Sequence, residues 1–296
     1  MRPPLPRKLV ETAQEYAAGD RTPVEPRDAA TVVLLRAGAA EPEVYLLVRQ
    51  RSMAFAAGAA VFPGGGVDPR DYDAQVGWAG PTPAAWARRL GVSEERARAL
   101  VCAAVRETFE ESGVLLAGGS EEEIVADVSG DDWEADRLAL ESREMSLTEL
   151  LERRGLVLRT DLLGAWAAWL TPEFEPRRYR TWFFVAALPE GQVTRDVSTE
   201  SSAVTWLPLL EACARVERGE LRMLPPTYGT CLEVAQHPDP EAALAACAER
   251  RVELFMPRIA QVDGEWTLSF PERLEPLLEA RARRGRDADV EGRRAP

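Results

Sequence analysis

Apolar positions recur along this chain in two rhythms. Short, nearly continuous apolar runs read as buried strands: TVVLLR within Ala30–Arg36, VYLLVRQR over Val44–Arg51, TWFFVAAL over Thr181–Leu188 and AVTWL over Ala203–Leu207. Longer stretches carry helical spacing: residues 7–18, PAAWARRL, ARALVCAAVRETFEESGVLL over Ala97–Leu116, SLTELLERRG, and much of 208–250, including LPLLEACARVERG and LPPTYGTCLEVA. Ser146 with Glu149 reads as a capping box. Val252–Pro257 and Trp266–Phe270 predict a closing hairpin around Asp263-Gly264.

The most informative helical stretch is Arg106-Glu107-Thr108-Phe109-Glu110-Glu111-Ser112-Gly113-Val114. Glu107, Glu110 and Glu111 stand at i, i+3 and i+4, so a helix brings all three carboxylates to one face. Like charges at that spacing weaken a helix by roughly 0.2–0.5 kcal/mol per pair. Either the face is simply solvated or a cation neutralises it, and for oxygen ligands that cation is Mg²⁺ or Mn²⁺. Gly113 follows as a left-handed cap.

Upstream, Val61-Phe62-Pro63-Gly64-Gly65-Gly66-Val67-Asp68 runs from a strand end into a glycine turn, whose bare backbone can approach an ion or a phosphate. Together the two stretches resemble the Nudix box, G-x5-E-x7-R-E-U-x-E-E-x-G-U. Gly65 matches the opening glycine. Arg106, Glu107, Glu110, Glu111 and Gly113 match the second half, with Val114 at the final aliphatic and Thr108 departing at the first. About thirty residues separate Gly65 from the helix, so the box is interrupted by an insertion. Counting back eight residues from Arg106 places Arg98 where the pattern has its first glutamate. Glu94 and Glu95 are the neighbouring substitutes.

The resemblance implies an α/β fold, an α/β/α sandwich around a mixed curved sheet with helical insertions. It implies a single domain over 28–275, with insertions at about 69–93 and 118–159. Residues 1–27 precede it as a helix and linker, and 276–296 read as a disordered tail. An insertion beside a site is a candidate lid, specificity element or homodimer contact. Asp68, Asp71 and Asp73 in the first insertion lack the spacing of a calcium loop.

Further candidates are basic. Arg177, Arg178 and Arg180 precede the Thr181–Leu188 strand and would clamp a phosphate or serve as a surface loop. Arg49 and Arg51 end the second strand, as rim residues or as a grip on an anionic substrate. Glu200, in the loop before AVTWL, matches the place where the family often supplies a further ligand or base.

Composition narrows the class. Apolar content of 46% and charged content of 29% are those of a soluble domain. A net charge of −13 argues against nucleic acid as a partner. No apolar run reaches the ~18 residues of a membrane span. The start lacks a signal-peptide core and the end, GRRAP, is no peroxisomal address, so a cytoplasmic, bacterial setting is expected. Cys102, Cys213, Cys231 and Cys247 form no C-x-x-C pair, and the single histidine, His237, lies in a turn; zinc and histidine-based triads are poor fits.

PRRyrTWFFVAALPEGQ, the interrupted box and MLPPTygTcLEVA together resemble the branch of the superfamily that includes the mammalian peroxisomal coenzyme A diphosphatase and its bacterial relatives. What this implies is a pyrophosphohydrolase acting on a nucleoside diphosphate linked to another moiety, with coenzyme A or acyl-coenzyme A as candidates. Glu107, Glu110, Glu111 and the Gly65 carbonyl would hold Mg²⁺ or Mn²⁺, Glu110 or Glu111 would orient water, and Arg106 would fix a carboxylate. Alternatives are ADP-ribose, dinucleotide or nucleotide-sugar pyrophosphatases, or a non-catalytic ligand sensor on the same fold.

Overall fold

The computed structural model describes residues 4–50, 56–199, 201–262 and 264–283. Helix α1 (Arg7–Ala18) leads into β1 (Arg27–Arg36), which turns back as β2 (Glu43–Arg49). The short β3 (Ala60–Val61) and β4 (Gly64–Gly66) follow. The first insertion then supplies a 3-10 turn at Pro69–Tyr72, β5 (Trp78–Ala79) and α2 (Pro83–Leu90). The long helix α3 (Glu94–Ser112) runs into β6 (Ala117–Gly118). The second insertion holds α4 (Asp131–Glu141), α5 (Leu147–Arg154) and β7 (Val157–Arg159). Strands β8 (Gly164–Leu170), β9 (Tyr179–Ala187) and β10 (Ser201–Pro208) complete most of the sheet. Helices α6 (Leu209–Glu217), α7 (Pro225–Val234) and α8 (Pro240–Ala246) lead to β11 (Leu254–Phe255), β12 (Ile259–Val262) and β13 (Glu265–Leu268).

The main sheet has the order β10-β2-β1-β9-β8-β11, with β3 on β2 and β4 on β1. It is mixed, because β1 runs parallel to β9 and β11 parallel to β8 while the other neighbours are antiparallel. β1 is buried almost throughout, the mark of a strand covered on both faces. Its side chains alternate accordingly: Ala30, Val32 and Leu34 join the core under α3, and Val33 and Leu35 join the core under α6–α8. β9 repeats the rule with Trp182, Phe184 and Ala186 on one side and Phe183 and Val185 on the other. In β8 an irregularity between Ala165 and Ala167 puts Trp166 and Ala167 on the same side, as a bulge must. The α/β/α sandwich expected from the sequence is the observed architecture.

The predicted elements recur with small shifts, and three regions differ from expectation. The closing hairpin is Ile259–Val262 with Glu265–Leu268, while Leu254–Phe255 extends the main sheet instead; Asp263 lies outside the described residues. The insertions are not purely helical, since β5, β6 and β7 form a second sheet that ties the two insertions together. The tail expected to be disordered from 276 remains helical over 275–283, where Leu278 is buried and Arg281 pairs with Glu217 at 2.6 Å; residues 284–296 are outside the described set. All four cysteines are free and buried. His237 packs edge-on against Trp166. Among the described residues no helix is long and apolar enough to cross a membrane.

The first insertion is a structural part of the core. Trp86 of α2 is fully buried and meets the Phe184 ring edge-on at 5.8 Å. Trp86→Ala should therefore lower unfolding free energy by about 3–5 kcal/mol, the usual cost of emptying such a site, as read from urea unfolding.

Candidate active site

α3 begins at Ser93, whose hydroxyl accepts from the Arg96 amide, with Glu94 and Glu95 in its first turn. It is buried on nearly every side by Ala97, Leu100, Val101, Ala103, Ala104, Val105 and Phe109. Thr108, the departure from the aliphatic pattern, is also buried, and its hydroxyl donates to the Ala104 carbonyl. The helix ends at Gly113 with φ +72°, whose amide donates to the Phe109 carbonyl.

The glycine turn lies against the last two turns of this helix. β4 pairs with β1 through Gly64–Thr31, Gly65–Ala30 and Gly66–Ala29. A Cβ on Gly65 would stand 2.5 Å from a Glu107 carboxylate oxygen, so any side chain there would displace that carboxylate from its present position. The Gly64 amide donates to Glu111 Oε2 at 2.7 Å. The acidic face of α3 and the Pro-Gly-Gly bend thus share one site.

Arg106 organises it. Its Nη1 donates to Glu107 at 2.8 Å and to both oxygens of Glu110 at 3.1 and 3.3 Å. Its Nη2 donates to the Gly66 carbonyl at 3.0 Å. Its Nε and Nη2 grip Asp71 in a two-pronged pair at 3.0 and 2.9 Å. Burial opposes the Arg106 charge, but Asp71, Glu107 and Glu110 outweigh it and raise the pKa. One guanidinium therefore faces three carboxylates. Burial, then repulsion from Glu107, pushes the Glu110 carboxyl up to about 7 in spite of Arg106.

Asp71 was not among the expected site residues. It lies six positions after Gly65, where the box pattern has its first glutamate. Counting forward from the glycine finds it; counting back from Arg106 crosses the insertion and lands on Arg98. Glu94 and Glu95 are exposed at the far end of α3, about 20 Å from Glu107 by helical rise. Asp71 is 3% exposed and is held by the Asp68 amide, with which it forms the capping box of the 3-10 turn.

The basic candidates do not gather into one clamp. Arg178 is buried and donates to the Thr171 and Val24 carbonyls. Arg180 pairs with Asp28 at 2.7 Å and with Glu25. Arg177 is exposed. Arg51 and Glu200 lie outside the described residues.

Among the described residues no group of three or more His, Cys, Asp or Glu side chains is arranged to hold a metal ion. Arg106 stands between Glu107 and Glu110, and Glu111 is turned to the Gly64 amide. The donor chemistry nevertheless fits a hard cation. The groups are carboxylate and carbonyl oxygens, negative charge exceeds positive, and burial together with the Glu107 charge raises the Glu110 pKa.

Two outcomes follow. Asp71→Ala leaves the buried Arg106 short of its main partner and should cost about 3–5 kcal/mol in chemical unfolding. Glu110 has a folded pKa above its ordinary 4.5, so its ionisation opposes folding between pH 4.5 and about 7. In metal-free buffer the stability of Glu110→Gln relative to wild type should thus rise with pH across that window, by up to about 3 kcal/mol, and level off above it. A pH-independent difference would contradict the placement.

The comparisons with known proteins agree with this geometry. The NUDT19 Nudix domain family matches residues 87–232. The acyl-coenzyme A diphosphatase NUDT19 of Gallus gallus is 28% identical over 231 residues, 64% of this chain and 60% of that protein. Its Xenopus laevis counterpart is 24% identical over 219 residues, 63% of this chain and 58% of that protein. The matched region spans less than two thirds of either relative's length. A Nudix hydrolase from Alicyclobacillus acidocaldarius superposes with a TM-score of 0.63 at 28% identity, over 75% of this chain and 96% of its own. With that fold in common, a matching domain and an acidic helix face set on a glycine turn, this chain is similar to the Nudix hydrolases in both fold and signature residues.

Proposed function

We propose that this protein is a pyrophosphohydrolase that cleaves a nucleoside diphosphate linked to another moiety and depends on Mg²⁺ or Mn²⁺. The observation that carries the reading is the convergence of Glu107, Glu110 and Glu111 on Gly64–Gly66, with Arg106 between them and Asp71. Glu107, Glu110, Glu111 and the Gly65 carbonyl would hold the cation. When bound, it would neutralise the non-bridging oxygens of the pyrophosphate and acidify water.

The chain's own residues do the rest. Arg106 keeps the Glu107 and Glu110 carboxylates in place, and Asp71 keeps Arg106 in place. The Gly64 amide orients Glu111. Water adds to one phosphorus of the P–O–P bridge, and the bridging oxygen leaves with the other phosphoryl half. The water's proton passes to a carboxylate of the site, with Glu110 and Glu111 the candidates to orient the water. Arg177 and Arg51 are the candidates for gripping the anionic substrate, and Glu200 for a further ligand or base.

For the substrate, the names of the Gallus gallus and Xenopus laevis relatives favour coenzyme A or acyl-coenzyme A. The products would be 3′,5′-ADP and 4′-phosphopantetheine or its acyl form.

A panel of coenzyme A, acyl-coenzyme A, ADP-ribose, dinucleotides and nucleotide sugars, assayed with Mg²⁺ and Mn²⁺ by phosphate release after phosphatase treatment, tests the reading. Coenzyme A compounds should be cleaved fastest. Glu110→Gln and Glu111→Gln should each lose a factor on the order of 10² or more while keeping a cooperative thermal transition. Full activity in both variants would end the assignment. Thermal stabilisation by a nucleotide without turnover of any substrate would instead indicate a ligand sensor.

A further inference from the structure

The end of α3 presents an electrostatic and a hydrogen-bonding problem at once. Its last carbonyls lack helical partners, and its last turn carries Glu110 and Glu111 but no basic residue. The second insertion and the loop before β10 supply what is missing. Arg137 of α4, 2% exposed, donates from Nη1 to the Glu110 carbonyl at 2.7 Å. The Arg195 amide donates to the Ser112 carbonyl at 2.9 Å. The Arg195 guanidinium lies against Gly113, where a Cβ would stand 2.8 Å from its Nε.

One carboxylate of α4 joins the two arginines, and a second joins Arg137 to the loop before β10. Glu134 accepts from Arg137 at 2.7 Å and from Arg195 at 2.7 Å. Glu141 accepts from Arg137 at 3.0 Å and from the Thr199 hydroxyl at 2.5 Å. The loop is fixed elsewhere too. Gln192 bonds both backbone groups of Leu115, Trp206 donates to the Thr194 hydroxyl, and the Tyr45 hydroxyl donates to the Arg195 carbonyl.

We propose that Arg137 and Arg195, bridged by Glu134, with Glu141 tying Arg137 to Thr199, clamp the last turn of α3 to the loop before β10. The second insertion is then a positioning element for Glu110 and Glu111. Neither arginine touches the carboxylates themselves; each acts through the backbone that carries them. A planar fork suits the task, because Arg137 must meet a carbonyl and two carboxylates at once. Lysine keeps the charge but reaches fewer of these partners. The catalytic consequence rests on the pyrophosphohydrolase reading above; the structural consequence does not.

The test compares Arg137→Lys and Arg195→Lys with Arg154→Lys, which removes an ion pair to Asp132 and Asp136 on the same helix without touching the end of α3. Two readouts are taken: steady-state kinetics on the substrate best cleaved by wild type, and amide hydrogen exchange under native conditions. The clamp variants should lower kcat by about 10–100-fold with KM within about threefold, and Arg154→Lys should stay within about twofold of wild type. Exchange should quicken at residues 111–116 and 193–199 but not in β9. An unchanged kcat in both clamp variants, or exchange that quickens evenly across the chain, overturns the proposal. If wild type cleaves nothing, the proposed function fails, and the exchange pattern alone decides the clamp.

Discussion

Carboxylates at the carboxyl end of a helix are the constraint on which the rest of this structure turns. The helix dipole is negative there, and like charges three and four residues apart add repulsion. α3 places Glu107, Glu110 and Glu111 in its last two turns and buries Glu110. Three guanidiniums answer that charge from three directions: Arg106 from the helix itself, Arg137 from the second insertion and Arg195 from the loop before β10. Each is held in turn by acids away from the face, Asp71 for the first and Glu134 for the other two. The face is thus stabilised without being fully neutralised.

How much of this could be read beforehand depended on sequence separation. The α3 motif is local, so its period exposed the acidic face and Gly113 closed it. The strand β1 was legible because burial on both sides leaves an unbroken apolar run. Asp71 was hidden by the insertion, which breaks the spacing that would have named it. Arg137 and Arg195 gave no local sign, since each is one arginine in an arginine-rich chain and its role comes only from contacts 27 and 61 positions away. The Arg177, Arg178 and Arg180 cluster shows the converse: adjacency in sequence near a strand sends alternate side chains to different surroundings, and Arg178 is spent on backbone carbonyls.

The insertions illustrate how a fold absorbs extra chain at a functional edge. An exposed insertion would carry its own unsatisfied backbone and apolar surface. Here β5, β6 and β7 pair with one another, and Trp86, Leu90, Leu140, Leu147, Leu150 and Leu151 enter the same core that α3 faces. The loop between Gly65 and α3 can therefore be long without loosening the site, because Asp71 is fixed at the near end and α2 at the far end.

Rigidity around Glu110 has a chemical reason. A carboxyl raised to about 7 by burial and a neighbouring charge is sensitive to small displacements, since both effects fall off steeply with distance. Were the last turn of α3 to fray, water would reach Glu110 and its pKa would relax toward 4.5. Holding the backbone through Arg137 and Arg195 keeps the Glu110 carboxylate buried with both oxygens on Arg106. The positioning of the main chain and the tuning of the side chain are then the same physical requirement, met from opposite sides of one helical turn.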